Sequence, residues 1–158
     1  MSDIFISETT WDDQRPRVLV IACSDGRLQE AVDEYLSSLG ITRYDRLYAP
    51  GGPGALAASG FDYMRAGQFR KECEFLVTAH KIEEVILLFH GPAPDGPSVS
   101  LCADYLRKLP VATPTRVDQQ QRDDIPAILR DAFGSHNIRI RIVRCEVRGD
   151  GRIQFVPL

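Results

Sequence analysis

Three side chains that could do chemistry stand close together after an apolar run near the start of the chain. The run 18–22 is followed by Cys23, Asp25 and Arg27 within five positions, and a second apolar run, 85–89, leads into His90. Thiolate and imidazole are the favoured ligands of zinc, and a catalytic zinc site has three protein ligands and an open position. These residue types therefore raise the question of a metal site.

Three interpretations fit these four residues. In the first, Cys23 and His90 bind zinc, and Asp25 is either a third ligand or a base that Arg27 holds off the metal through a bidentate pair. In the second, Cys23 is a metal-free nucleophile with His90 as its base. Arg27 follows the cysteine too closely for a phosphatase-type loop. In the third, the cysteine is a small core residue and the histidine a satisfied polar group.

The surrounding elements predict how these residues meet. Continuous aliphatic residues at 17–23 and 84–89 are typical of strands buried on both faces. A short strand is predicted at 44–49. Apolar spacing and turn residues predict four helices, at 27–39, about 61–80, about 97–109 and 123–133. Because strands and helices alternate, we expect an α/β fold with a mainly parallel central sheet flanked by helices. A Gly-Asp-Gly turn near the end predicts a C-terminal antiparallel hairpin.

Composition and charge narrow the class of protein. The chain of 158 residues is 44% hydrophobic and 26% charged, which suits one soluble domain at 17–158 after an irregular arm at 1–16. No apolar run approaches the roughly 20 residues of a membrane span, and no signal peptide is evident, so we expect no membrane partner and a cytoplasmic location. A net charge of -3 gives no basic face, so nucleic acid is not an expected partner.

The topology predicts where a site lies. Ligands of parallel sheets bind outside the carboxyl ends of the strands, and Cys23 and His90 each end a predicted strand. We therefore expect both side chains at one sheet edge. The segment 91–97 contains three prolines and two glycines and is predicted to be a loop rather than a central strand. The Gly-rich stretch 51–54 lacks the residues of a phosphate-binding P-loop and is predicted to be a tight turn near the pocket.

Four stretches carry a resemblance to a known family. The segment C-S-D-G-R at 23–27 resembles the Cys-x-Asp-x-Arg signature of the β-class carbonic anhydrases. In the same order, 45–52 resembles the strand leading into that family's Arg-Asn-Ala-Gly loop, 74–91 resembles the helix and strand that deliver its zinc-binding histidine, and 143–153 resembles its C-terminal strand and turn. The resemblance extends from about residue 17 to the end of the chain.

The resemblance implies a β-carbonic-anhydrase-like fold with zinc bound by Cys23 and His90, and with Asp25 and Arg27 as a catalytic dyad. It implies hydration of carbon dioxide, or hydrolysis of a similar small molecule such as carbonyl sulfide or carbon disulfide. It also implies a homodimer or a higher homo-oligomer, with the pocket near the subunit interface.

One ligand of the family is missing from its usual place. The family has a second zinc cysteine three residues after the histidine, where this chain has Ala93. Asp25 or Asp95 are the candidates for a third ligand. Cys102 falls inside a predicted helix, twelve residues after His90, and is expected to be a core thiol, as are Cys73 and Cys145, rather than a substitute.

Three functions therefore stay open at this stage. The first is zinc-dependent hydration of carbon dioxide or a similar small molecule at a non-standard metal site. The second is a non-catalytic relative that has lost zinc and binds a small anion or a partner. The third is a metal-free thiol enzyme that uses Cys23.

Overall fold

The computed structural model describes residues 4–59 and 63–158, and it has the mixed sheet that the sequence pattern predicts. Within the described residues, five strands form one sheet: β1 (Val18–Cys23), β2 (Asp45–Ala49), β3 (Glu84–Pro92), β4 (Arg139–Val147) and β5 (Ile153–Pro157). Their spatial order is β2-β1-β3-β4-β5. The first three pairings are parallel, and β4 and β5 pair antiparallel as the predicted hairpin. The predicted fold class is confirmed.

In the part of the chain that the structure describes, four α-helices cover the two faces of this sheet. They are α1 (Gln29–Ser38), α2 (Tyr63–Ala79), α3 (Ala103–Lys108) and α4 (Pro114–Ile128). One core cluster packs the odd-numbered residues of β1 and β3 against α2 and α4, and a second packs the even-numbered residues against α1 and β5. The sequences of β1 and β3 are continuously apolar because helices cover both faces of these strands.

Segments outside these elements complete the description. Residues 4–17 contain neither a helix nor a strand. The first three residues of the predicted arm, and the predicted helix start at residue 61, lie outside the described residues. Across the part of the chain that the structure describes, no helix is both long and apolar enough to cross a bilayer.

Strand β3 is longer than predicted. It continues beyond His90 through Gly91 and Pro92, paired with β4, although the sequence predicted a loop from residue 91. Proline fits because the next amide, that of Ala93, donates to Val147 of β4, so the missing N–H of Pro92 faces the other side of the strand. On that side the pairing with β1 has already ended at Leu88. Proline is tolerated in strands where no partner needs its N–H.

Two helical predictions also differ from the structure. The predicted helix from about 97 to 109 is divided into a 3-10 turn, Ser98–Ser100, and the short helix α3. Helix α4 begins at Pro114, well before the predicted start at 123, and continues into a π-helical turn, Leu129–Phe133. Thr113 caps α4 by accepting a hydrogen bond from the Arg116 amide at 3.2 Å. A Thr-Pro pair is a recognised start signal for a helix, which the apolar spacing alone did not capture.

Candidate metal centre

The first two candidate ligands lie at the carboxyl edge of the sheet, as the topology predicts. Cys23 is the last residue of β1 and pairs with Ala49 of β2. His90 lies near the end of the neighbouring strand β3, where it pairs with Cys145 of β4. Since β1 and β3 run parallel side by side, their carboxyl ends bring the thiol and the imidazole to the same place.

Cys102 joins them there, against the sequence-based expectation. Its predicted burial in the core is confirmed, since it is 1% exposed and belongs to the first core cluster, but it lies in extended backbone (φ -64°, ψ 117°) immediately before α3 and not inside a helix. The break between the 3-10 turn and α3 leaves its side chain free of the helix. The ligand atoms of Cys23, His90 and Cys102 all lie within 4.8 Å of one another. The only signal in the sequence for this third member is its residue type.

These three side chains fit a zinc ion. Two ligands of one tetrahedral zinc are about 3.5 to 3.8 Å apart, given bonds of about 2.0 to 2.3 Å, and the three ligand atoms here lie no more than 4.8 Å from one another. His90 is 3% exposed, and its Nε2 is buried without a hydrogen-bond partner among the described residues. A buried, unsatisfied imidazole nitrogen beside two sulfurs is satisfied by a metal that takes nitrogen and sulfur ligands.

The electrostatics of the two thiols favour one thiolate before any metal binds. A hydrogen bond from the Cys102 thiol lowers the pKa of Cys23, burial opposes this, and His90 and the backbone of Gly51 add to the lowering. The same hydrogen bond to Cys23, together with burial, raises the pKa of Cys102. The pair therefore shares one proton, with the negative charge on Cys23. Both sulfurs bind a metal as thiolates, so metal binding requires the remaining proton, on Cys102, to leave as well.

Asp25 and Arg27 form a closely bonded pair beside the cluster. The Arg27 Nε donates to Asp25 Oδ1 at 2.9 Å, and Nη2 donates to Oδ2 at 2.6 Å. The Arg27 backbone amide also donates to Oδ1, at 3.1 Å, so the carboxylate caps the 3-10 turn that leads into α1. These hydrogen bonds, chiefly those of the Arg27 side chain, lower the pKa of Asp25 to about 2. The carboxylate is therefore ionised at neutral pH.

The bond to Arg27 bears on whether Asp25 is a third metal ligand or a base that is held off the metal. Among the described residues, the cluster of possible metal ligands comprises Cys23, His90 and Cys102, and Asp25 is not a member. The bidentate contact with Arg27 is the arrangement that would hold the carboxylate off a metal. Arg27 Nη1 also donates to the Val99 carbonyl at 3.2 Å, which links the dyad to the segment that precedes Cys102.

The remaining candidates lie elsewhere. Asp95, the other possible oxygen ligand, is exposed and is not in the cluster. Ala93 is buried just past the end of β3, and its amide donates to the Val147 carbonyl. Cys73 and Cys145 are buried in the two core clusters, where burial raises the pKa of each to about 12. The prediction that these two cysteines are core thiols is confirmed.

The glycine-rich loop packs directly behind Cys23. Gly51 (φ +90°) and Gly52 (φ +54°) adopt left-handed conformations that favour glycine. A Cβ on Gly52 would overlap the backbone of Ala22 and Cys23, at 2.8 and 2.6 Å. The loop therefore turns tightly, as predicted, and only glycine allows it to approach the backbone at the end of β1 this closely.

A cavity of about 220 Å³ opens beside the site. It reaches Cys23 and Asp25 and has both apolar and hydroxyl-bearing walls, including Leu28, Val32 and Tyr48. Pockets with mostly apolar walls and a few convergent polar groups are typical of small-molecule sites. The cavity gives a small molecule a place next to the thiol and the carboxylate.

Comparison with known proteins agrees with the fold. No family model and no curated protein matches the sequence. Among solved structures, the chain is similar to the β-carbonic anhydrase CcaA, with a TM-score of 0.55 and 14% identity over 92% of this chain and 85% of that one. It is also similar to the carbonic anhydrase from Streptococcus mutans, with a TM-score of 0.48 and 18% identity over 90% and 82% of the two chains. The chain has the β-carbonic anhydrase fold, and at these identities the likeness extends to the fold alone.

Proposed function

We propose that this chain is a divergent β-carbonic anhydrase that binds zinc through Cys23, His90 and Cys102 and hydrates carbon dioxide or a similar small linear molecule. The observation that carries the proposal is the meeting of two sulfurs and one buried, unpartnered imidazole nitrogen at the carboxyl edge of the sheet. This donor set is one of those found in catalytic zinc sites, where a fourth position stays open.

The metal would supply the Lewis acidity that brings the pKa of a bound water to about 7. The chain's own residues would do the rest. Asp25 is ionised and keeps acceptor capacity on Oδ2, so it can accept a hydrogen bond from water or from a substrate hydroxyl. Arg27 keeps this carboxylate oriented and off the metal through two side-chain bonds. The apolar side of the adjoining cavity suits a small substrate of low polarity.

The proposal assigns Cys102 to the role that the family gives to a cysteine three residues after the histidine. In this chain β3 continues through Gly91 and Pro92, and the amide of Ala93, just past the end of the strand, donates to Val147 of β4. The third sulfur therefore comes from the start of α3. Asp25 and Asp95 are left out of the proposed ligand set.

Metal content and activity test the proposal together. We expect about one zinc per chain on protein purified without chelator or metal-affinity resin, with the zinc lost in His90→Ala, bound more weakly in Cys102→Ser and kept in Cys73→Ser. Stopped-flow assays should then show carbon dioxide hydration in the zinc-loaded protein and background rates in His90→Ala. Zinc affinity unchanged in Cys102→Ser would refute the ligand set.

The same experiment separates the two other functions. Protein without zinc, and without activity after zinc is added, would indicate a relative that has lost catalysis and binds an anion or a partner. Metal-free protein that turns over a thiol-dependent substrate would indicate a thiol enzyme, for which the lowered pKa of Cys23 beside His90 is the supporting observation.

We also propose that the protein forms a homo-oligomer. Large apolar side chains of the arm, Ile4, Phe5, Ile6 and Trp11, are 82% to 90% exposed. Exposed apolar groups of this size, close together in sequence, favour an interaction surface. Light scattering would test this: a dimer or larger species supports the proposal, and a monomer at all concentrations contradicts it.

A further inference from the structure

We propose that the buried carboxylate of Asp104 positions Cys102 for metal binding, by tying helix α3 to helix α2 and to the glycine-rich loop behind Cys23. The inference rests on the proposed function, because it concerns how the third ligand is held. It goes further by naming a positioning residue specific to the displaced ligand of this chain.

The need for such a residue follows from where Cys102 lies. Cys102 lies between a 3-10 turn and a helix of only six residues. A helix this short has little stability of its own, because nucleation is costly and few internal bonds form. Strand geometry fixes Cys23 and His90, but no regular element contains Cys102. Its placement depends on contacts made by the residues next to it.

Asp104, two residues after Cys102, makes an unusual number of such contacts. Its side chain is fully buried and is paired with three cations. Oδ1 accepts from Arg65 Nη1 at 2.8 Å and from Arg107 Nη2 at 2.5 Å, and Lys108 Nζ lies 3.2 Å from Oδ2. Arg65 belongs to α2, so its bond joins α3 to a long helix that is packed in the core. A buried carboxylate is stable only when it is paired in this way.

The same cations hold the glycine-rich loop. Arg65 Nη2 donates to the Pro50 carbonyl, and Lys108 Nζ donates to the Gly54 carbonyl at 2.7 Å. Gly51 lies directly on the carboxylate, since a Cβ at this position would overlap the side chain of Asp104. The loop between these contacts is the one that packs against Cys23. One buried charge therefore connects the segment that carries Cys102 to the loop that supports Cys23.

The test uses cobalt(II) in place of zinc, because the thiolate-to-cobalt charge-transfer absorption reports how many sulfurs are bound. We expect the wild-type protein to show two thiolates, and Asp104→Asn to fall towards the one-thiolate spectrum of Cys102→Ser. Zinc affinity should weaken by about 10- to 100-fold, which is typical when support of a ligand is removed. In Asp104→Asn/Cys102→Ser, the Asp104 change should add little, since the ligand that it positions is already gone.

Glu84→Gln is the matched control. Glu84 is also a buried carboxylate paired with two arginines, Arg139 and Arg141, but it lies at the opposite edge of the sheet, at the start of β3. We expect this variant to lose stability and keep the two-thiolate spectrum. If Glu84→Gln lost the two-thiolate spectrum to the same extent as Asp104→Asn, the loss would reflect general destabilisation of the fold, and the inference would be overturned.

A folded Asp104→Asn with the wild-type spectrum and affinity would also overturn it, leaving the proposed function intact. If Asp104→Asn does not fold, Lys108→Met decides, because it removes the bond to Gly54 and leaves Asp104 paired with Arg65 and Arg107. A partial loss of the second thiolate in Lys108→Met supports the inference, and an unchanged spectrum overturns it. Wild-type protein that binds neither cobalt nor zinc would refute the proposed function itself.

Discussion

The two segments that supply sulfur to the candidate metal centre are built in opposite ways. Around Cys23, the strand end, the dyad and the start of α1 occupy adjacent positions, and their bonds are local: Asp25 is bonded to Arg27 two residues away. Around Cys102, the decisive bonds join residues far apart in sequence, such as Arg65 with Asp104. Local construction leaves a motif in the sequence, whereas construction by distant contacts leaves none.

The largest expected effect is on catalytic activity, and it distinguishes the role of Asp25 from that of the metal ligands. We expect Asp25→Asn to lower carbon dioxide hydration by about 10²- to 10⁴-fold, the usual contribution of a group that takes part in proton transfer. Zinc content should not change, because Asp25 is bonded to Arg27 and is outside the ligand cluster. Elemental analysis and stopped-flow kinetics on the same sample check both points.

Asp95→Asn is the control for this variant and should change neither quantity, because Asp95 is exposed and outside the cluster. Loss of zinc in Asp25→Asn would mean that this carboxylate is the third ligand, and the comparison between the two segments would fail.

The second effect concerns the thiols of metal-free protein. We expect iodoacetamide at neutral pH to modify Cys23 roughly 10- to 100-fold faster than Cys73 or Cys145, because its pKa is lowered whereas burial raises theirs to about 12. Cys102→Ala removes the hydrogen-bond donor, so it should raise the pKa of Cys23 and slow its modification. Mass spectrometry of peptides after timed quenching measures each rate.

A Cys23 rate that is independent of Cys102 would contradict the contact between the two sulfurs. Cys145→Ala serves as the matched cysteine deletion, because it removes a buried thiol from the opposite core cluster and should leave the Cys23 rate unchanged.

A smaller effect is expected for the bond between Arg27 and Asp25, which lies entirely within the segment that follows Cys23. Replacing Arg27 by Gln should raise the pKa of Asp25 from about 2 towards its ordinary value of 3.8, because the guanidinium is the main cause of the lowering. Since the folded pKa is depressed, the stability contributed by the pair is present above the unfolded pKa and is lost as pH falls through about 2. Carboxyl carbon NMR during an acid titration measures the pKa in both proteins. An unchanged pKa would show that Arg27 is not what holds the carboxylate.

Much of this molecule could be predicted from sequence where the signals are local. Buried strands at β1 and β3 and the hairpin of β4 and β5 each follow from a short pattern, and parallel pairing then places Cys23 and His90 at one edge. Cys102 could not be placed, because the helical spacing of 98–109 masks the break between the 3-10 turn and α3. The continuation of β3 through Pro92 was also hidden, since it depends on where the neighbouring strand β1 ends.

The smallest expected effect comes from restoring the family's cysteine position. Ala93→Cys should change zinc stoichiometry and affinity by no more than about twofold, and it should not rescue Cys102→Ser, because the amide of residue 93 is bonded to Val147 at the end of β4. The added sulfur at a buried position should cost about 1–3 kcal/mol of stability. Zinc titration and chemical denaturation measure the two quantities. Rescue of Cys102→Ser by Ala93→Cys would contradict the extended course of β3.

The central claim is that Cys102 supplies the second sulfur of a zinc site, and X-ray absorption at the zinc edge tests it most directly. The account predicts two sulfur scatterers at about 2.3 Å and nitrogen or oxygen at about 2.0 Å in the wild-type protein, with one sulfur lost in Cys102→Ser. A wild-type spectrum with a single sulfur, unchanged in Cys102→Ser, would contradict it.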